Sequence, residues 1–430
     1  MWVGLIVGSV VTAAFAGTME AVTTASIDSA KSAVTLALGL IGVMAFWLGM
    51  MRVVQEGGFL HTLARFVRPI MVRLFPDVPP DHPAMSAMIM NMAANMLGLG
   101  NAATPFGIKA MLELDRLNPQ RGVATNAMVL FLAINTSNVA LAPLGVIALR
   151  ASLGSTNPAG IWLPTLLATS FSTVTGILAA KLLQGMFPMM SADGLAEPAA
   201  SGGVNDLPEE TTLGMDRETS PTGCMFAFVS TALVSLGLVV YVRNGLVNGV
   251  QFGDLLRDAA STWLLPVLIV VMLGYGVAKR VAVYDAMIAG AQEGFQVAVR
   301  IIPFLVAIIV AAGMFRASGL LDGILSVTSP VLNSVGFPPA ALPMAILRPL
   351  SGSGAYAVMA EIMQAEGPDS QVGYLVSTLQ GSTETTFYVL AVYFGAVAVT
   401  RVRHAVAAGL IADVAGVIGA VLAVKWFLPG

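Results

Sequence analysis

The stretch NMAANMLGLGNAATPFGIKAMLEL, residues 91–114, sets three asparagines, three glycines and a proline inside a chain that is otherwise mostly apolar. Asn91 and Asn95 are four apart and share one face of a helix, while Met88, Met92 and Met96 make another. Gly98, Gly100 and Pro105 stop that helix and free its backbone groups. Asn101 and Thr104 stand at the restart, where a new helix N-terminus turns its N–H groups inward. A helix broken in this way supplies donors and acceptors at mid-membrane, as in many solute and ion sites. The plainer alternative is that the asparagines hydrogen-bond helix to helix. GLGNAA also fits the dinucleotide fingerprint, but that motif needs a preceding strand and a βαβ unit, which this setting lacks.

Composition fixes the class. The chain has 430 residues, of which 57% are hydrophobic and 10% charged, against roughly 25% charged in soluble domains. The mean hydropathy is +0.83. Residues 32–51, 122–149, 151–180, 219–242 and 259–278 contain no Asp, Glu, Lys or Arg. Each run reaches the ~20 residues that span a bilayer as a helix. A β-barrel would give short alternating segments instead. Cys224 is the single cysteine, so there is no disulfide framework and no Cys-based metal site. The start, MWVGLIVGSVVTAAFAG, lacks the basic residues of a signal peptide and reads as a first membrane helix.

The expected crossings are 2–18, 33–51, 122–149, 160–182, 222–242, 259–279, 297–315, 382–400 and 405–425. Residues 84–115 and 338–362 are apolar but interrupted by Gly, Pro and polar groups. They read as re-entrant hairpins, tolerable at that depth only inside protein or against a wet cavity. Residues 59–75 alternate apolar and basic positions at helical spacing and should lie along the interface, as should 283–296 and 319–335. On this map 14 Lys and Arg fall on the side of the N-terminus and seven, including Arg150 and Arg348, on the other. That bias favours a cytoplasmic N-terminus in a bacterial inner membrane, with the C-terminus outside. Residues 188–221, rich in Gly, Pro, Ser and acids, read as a flexible cytoplasmic linker.

The chain also repeats. GGFLHTLARFVRPIMVRLFPDVPP begins at Gly57 and SGLLDGILSVTSPVLNSVGFPP at Ser318. Each leads to a glycine-rich break, LGLGNA at 97–102 and LSGSGA at 350–355, and LAINTSN at 132–138 lies on LQGSTET at 379–385. Five expected crossings separate equivalent points. That odd number turns the second copy over, so one hairpin opens to each face. The expected fold is therefore an all-α polytopic membrane protein with two inverted-topology repeats, about nine crossings and two re-entrant helical hairpins. Its parts are 1–187 with hairpin one, the 188–221 linker, a connecting helix in 222–254, and 255–430 with hairpin two.

The polar clusters outline one site. LQGSTETTFY carries Gln380, Ser382, Thr383 and Glu384 into an apolar helix. A carboxylate there is costly and marks function by default. It can bind a cation, accept a proton or hydrogen-bond a hydroxyl or amine; the structural alternative is a pair with Arg348. Asn135 and Thr136 sit mid-run in NTSN, and Ser351 and Ser353 at the tip of hairpin two. Asp413 is a lone acid in the last helix, a proton site or a partner for His404 or Arg403. Together Asn91, Asn95, Asn101, Thr104, Asn135, Thr136, Ser351, Ser353, Gln380, Ser382, Thr383 and Glu384 are the expected solute contacts, with Glu384, Arg348 and Asp413 coupling or gating. Metalloprotease, Walker A and nucleophile-elbow motifs are absent, and His61, His82 and His404 form no metal set. Neither an enzyme nor a nucleic-acid binder is expected.

The same motifs carry a family likeness. NMAANMLGLGNAATPFGIKAMLELDRLNP resembles the spore maturation A proteins, and LRPLSGSGA with GSTETTFYVLAVYFGAV and RVRHA resembles the spore maturation B proteins. The chain looks like a fusion of the two, A-like over about 1–195 and B-like over about 255–430, joined by the helix at 222–242. Both belong to a group with nucleoside-recognition or Gate domains, related to concentrative nucleoside transporters and the membrane part of ferrous-iron transporters. The resemblance implies two hairpins and two broken helices around a solute, with a glutamate in a motif of the Q-T-E-A-P kind. Here Glu384 follows a threonine, but the proline is missing.

The expected function is secondary transport of a small polar solute by alternating access. No cofactor is expected, and coupling to a sodium ion or a proton fits a membrane carboxylate. The bilayer is the environment, and a homo-oligomer would steady the scaffold. The rival is a non-transporting sensor or scaffold that binds a solute or partner protein and signals through the linker.

Overall fold

The computed structural model describes residues 2–98, 100–141, 143–187, 219–251, 255, 259 and 262–428. The expected linker thus lies almost wholly outside the described residues. Helices α1 (Trp2–Ala16), α2 (Met19–Glu56) and α3 (Phe59–Leu74) lead to hairpin one, α4 (Pro83–Met96) and α5 (Gly100–Arg116). Next come α6 (Asn126–Ser137), α7 (Leu144–Ser152) and α8 (Trp162–Leu183). After α9 (Pro221–Val247) and α10 (Leu264–Ala278) the same order returns: α11 (Val283–Ala317), α12 (Leu320–Ser334), hairpin two as α13 (Leu342–Leu347) and α14 (Gly352–Glu366), then α15 (Gln371–Ser382), α16 (Thr386–Ala396) and α17 (Ala405–Phe427). Among the described residues, extended pairing is confined to one bridge, Val123 with Arg401.

The repetition extends to turn chemistry. Gly58 and Gly319 both take the left-handed conformation, φ 79° and 80°, which glycine adopts without a Cβ penalty. Each lets a long helix turn sharply into an amphipathic one; the turn at Gly319 is 75°. On α3, Leu60, Ala64, Val67 and Met71 are buried at helical spacing while Arg65, Arg68 and Arg73 are exposed. Thr125 and Ser370 cap α6 and α15 alike, each accepting from the N–H three residues on.

Several expected crossings differ in detail. The crossing at 33–51 lies within the 38-residue α2, about 57 Å long at 1.5 Å per residue. The segment 283–296 is no separate interfacial helix but the first part of the 35-residue α11, because no proline interrupts it before Pro303 and its glycines, Gly290 and Gly294, pack against α2. The crossings at 122–149 and 382–400 are broken, the first after Ser137 and the second at 383–385. Four described helices are long and apolar enough to span a bilayer alone, and a bent α11–α12 pair would add a fifth. The chain is thus a nearly all-helical membrane protein built from whole and broken apolar helices.

Equivalent helices pack on each other in opposite directions. A Cβ on Gly294 of α11 would lie 2.7 Å from Ala45 Cα of α2, one on Gly290 2.5 Å from Leu48 O, and one on Gly313 would meet Ser29. Residue numbers rise on one helix as they fall on the other. The same holds for α8 and α17, where Gly419 meets Ala168 and Gly176 meets Ala412, and Ser172 Oγ donates to Ala412 O at 2.7 Å. Small residues allow such close backbone approach, the main source of helix association where lipid is as apolar as the side chains.

The two largest apolar clusters each form around one hairpin, and they exchange parts. The cluster around hairpin one takes Val389, Leu390, Tyr393 and Phe394 from α16. The cluster around hairpin two takes Val146, Ile147 and Leu149 from α7. Each broken helix therefore has its first half in its own repeat's core and its second half in the other's.

Gly294→Ala should lower stability by about 1–3 kcal/mol, since the added methyl meets backbone that cannot yield. Gly42→Ala on α2, with nothing within 4 Å of the new Cβ, should be neutral or gain up to about 1 kcal/mol from helix propensity. Thermal melting in detergent checks both; equal effects would refute the packing seen at Gly294.

Candidate functional site

The exchange of half-helices brings the two breaks together. The backbone N–H of Glu384, in break two, donates to Thr136 O at the end of α6 at 2.7 Å. Each hairpin tip closes on its own break in the same way. Leu141 N donates to Met96 O at 3.0 Å, and Phe387 N to Pro349 O at 3.2 Å. Trp162 Nε1 adds a bond to Leu141 O at 2.7 Å. These contacts satisfy groups that a broken helix would otherwise leave bare.

On the side of hairpin one the polar side chains bond to one another. Asn91 Nδ2 donates to Ala103 O at 2.8 Å and to Tyr393 Oη at 3.2 Å. Asn95 Nδ2 donates to Asn135 Oδ1 at 2.9 Å, and Tyr393 O–H donates to the same oxygen at 3.3 Å. Asn135 Nδ2 returns to Phe131 O. Asn91 and Asn135 are buried, Asn95 is half-buried, and Thr136 is buried with its hydroxyl on Ala133 O. Thr104 is half-buried, and the side chain of Asn101 lies outside the described part.

On the side of hairpin two the cluster is charged. Arg348, buried at the hairpin tip, donates through Nε to Gln380 O at 3.2 Å, through Nη1 to Thr385 Oγ1 at 3.1 Å and through Nη2 to Thr383 O. Its Nη2 is also 3.6 Å from Glu384 Oε2. Arg348 is buried, whereas the Glu384 side chain is 47% exposed, so that carboxylate fronts an opening. Behind the break Thr386 Oγ1 donates to Asp413 Oδ2 at 2.7 Å. Arg348, Ser382, Thr383 and Asp413 line one small cavity.

The structure thus gathers most expected contacts into two clusters that meet at Thr136 and Glu384. Ser351 serves as a helix cap, accepting from Gly354 N at 3.1 Å, and Ser353 is exposed. Gln380 contributes its carbonyl to Arg348, while its buried side-chain oxygen has no partner. Asp413 does not pair with His404 or Arg403. The reason is the exchange of half-helices, which sets Thr386 against α17 and draws Arg403 away to Ala124 O, Asn126 Oδ1 and Phe187 O. Tyr393 escaped the sequence reading because it lies inside an apolar helix; its hydroxyl two turns after the polar cluster was the available signal.

Arg150 is likewise no free loop charge. It is fully buried, stacks 4.1 Å over the Tyr374 ring, and donates to Pro368 O, Asn157 O and Asp369 Oδ1, the last at 2.9 Å. Arg150, in the last turn of α7, holds the start of α15; Arg403, between α16 and α17, holds the start of α6. Each repeat so fixes where the other's broken helix begins.

The chain matches the Gate family, described as nucleoside recognition, over residues 37–154 and 298–400, just over half its length. It is 45% identical over 178 residues to spore maturation protein A of Bacillus subtilis (strain 168), covering 41% of this chain and 91% of that protein. It is 41% identical over 164 residues to spore maturation protein B of the same organism, covering 38% and 92% respectively. The two relatives match different parts of the chain, as a fusion requires. No solved structure matches it.

Asp369 supplies a pH test of the Arg150 clamp. Burial opposes its ionised form, but Ser155, the Thr156 N–H and hydroxyl, and Arg150 together hold the carboxyl below its ordinary value. A depressed carboxyl stabilises above the unfolded value and loses that contribution as pH falls through the folded one. Asp369→Asn should therefore melt below wild type near pH 6, with the gap closing below about pH 4. A gap independent of pH would refute the clamp.

Proposed function

From the membership of this chain in the Gate family, we propose that it is a secondary transporter of a small polar solute in the bacterial inner membrane. The observation that carries this reading is Glu384. It is a half-exposed carboxylate at the junction of two broken helices, only loosely paired with Arg348. A group so placed has an acceptor oxygen to offer a solute. Its site is the space between the two hairpins and the two breaks, with Asn91, Asn95, Asn101, Thr104, Asn135 and Thr136 on one side and Ser351, Ser353, Gln380, Ser382, Thr383 and Glu384 on the other. The family's description makes nucleosides the first solutes to try.

Inverted-topology repeats with about nine crossings belong to the same proposal. The antiparallel pairing of α2 with α11 and of α8 with α17 supports them, since a two-fold axis in the membrane plane reverses equivalent helices. Alternating access then has each hairpin leave its own break in turn. A cytoplasmic N-terminus and linker follow from the charge bias. One observation favours a scaffold instead: Asn91, Asn95, Asn135 and Tyr393 satisfy one another, leaving fewer free groups for a solute.

The test begins with thermal-shift screening of the purified protein against nucleosides, nucleobases, amino acids, dicarboxylates, small peptides and divalent metals. A ligand of the folded state raises stability by about 2.7 kcal/mol at a hundredfold excess over its dissociation constant. Uptake of the best hit into proteoliposomes follows. Glu384→Gln should cut uptake about ten- to hundredfold, the worth of a hydrogen bond to a charged group, with melting little changed. Unchanged uptake in that variant would exclude the site; no hit in the panel would favour the scaffold.

A further inference from the structure

Asp413 is the most deeply buried acid at the junction of the breaks, with 5% of its surface exposed. Its Oδ2 accepts from Thr386 and its Oδ1 has no hydrogen-bond partner. The cavity beside it is bounded by Arg348, Ser382, Thr383 and Val417. From α8, α6, α15 and α16, which pack on α17, and from the break, the hydroxyls that reach the carboxyl are those of Thr386 and Thr383, while Ser172 of α8 is held by Ala412 O. The charged side chains that reach it are Arg348 and, through Arg348, Glu384. Lys181 on α8 is exposed, His404 at the start of α17 stacks on Phe187, and Arg403 is held by Asn126.

Charge counting then becomes decisive. One guanidinium faces two carboxylates; its hydrogen bonds go to the backbone and hydroxyls around break two, and Glu384 is the carboxylate it pairs with, loosely, at 3.6 Å. Glu384 is partly solvated; Asp413 is not. A buried carboxylate held by hydroxyls alone is costly, and a proton on its unpartnered Oδ1 removes the excess charge.

We propose that Asp413 is the proton-coupling site of this chain, protonated on Oδ1 while Arg348 engages Glu384 and deprotonated when Arg348 turns to it. The proposal rests on the transporter reading of Glu384. A solute that occupies Glu384 releases Arg348 into the shared cavity. The Oδ1–H bond then breaks, the proton passes to water and the electron pair stays on the carboxylate, which Arg348 balances. Solute and proton thus compete for one guanidinium, and each moves the other across the membrane. Arg348 and Asp413 already line the same small cavity, so that turn stays within one site.

Infrared difference spectra of the whole purified protein across pH, with protons as the only probe, read the carbonyl stretch of a protonated carboxyl. At neutral pH wild type should show such a band, and Asp413→Asn, an isosteric neutral variant, should lack it. Glu384→Gln frees Arg348, so the titration of the band should move acid by at least about one pH unit, a tenfold loss of proton affinity. Thr386→Val removes the donor to the ionised form and should move it alkaline. Those opposite shifts identify Asp413 even if Asp413→Asn fails to fold. A band that survives in Asp413→Asn, or that ignores Glu384→Gln, overturns the proposal. So does a melting shift between sodium chloride and choline chloride that Asp413→Asn abolishes, which would assign the site to a metal cation. These spectra need no solute, so an intact titration without uptake would count against the transporter reading alone.

Discussion

The hydrogen bond from the Glu384 N–H to the Thr136 carbonyl joins two helices at the point where each is broken. Backbone groups released inside a membrane have no water to turn to, so a chain with two breaks must answer each with protein. Here the breaks answer one another, and the hairpin tips close over what is left. Met96 O and Pro349 O do this with the same backbone contact in both repeats. The long antiparallel pairs outside hold that centre in place.

The two halves share a backbone plan but differ in electrostatics. When LGLGNA is laid on LSGSGA, Asn95 falls on Arg348. Both reach from a hairpin tip to a break, the first with a neutral amide to Asn135, the second with a cation to Gln380 O and Glu384. Hairpin one is thus secured by dipoles that tolerate any pH. Hairpin two is secured by a charge that other charges can draw away.

Much of this was legible in the sequence. The hairpins followed from Gly98, Gly100, Pro105 and SGSG, because glycine and proline act on the backbone where they stand. The repeat followed from spacing, and the Arg348–Glu384 pair from the rarity of charge in apolar helices. What escaped depended on residues far apart in the chain. Tyr393 meets Asn135, 258 residues away, and Arg150 meets Asp369, 219 away. Nothing local marks a tyrosine among Val and Phe as polar in use, or an arginine at a helix end as buried. The extension of α2 back to Met19 escaped because Glu20, Asp28 and Lys31 broke the apolar run without breaking the helix.

The exchange of half-helices also sets an order in time. The core around hairpin one needs Val389, Leu390, Tyr393 and Phe394, which leave the ribosome long after the hairpin itself. Until they arrive, that hairpin has its groove open and Asn91 and Asn135 without their tyrosine. The first repeat must therefore wait in the membrane, inserted but unsealed, until the second has been made. Its completion is a long-range event of the slow, trap-prone kind. Carrying both repeats on one polypeptide makes that wait an intramolecular search at high effective concentration, and guarantees that every open half meets one partner and only one.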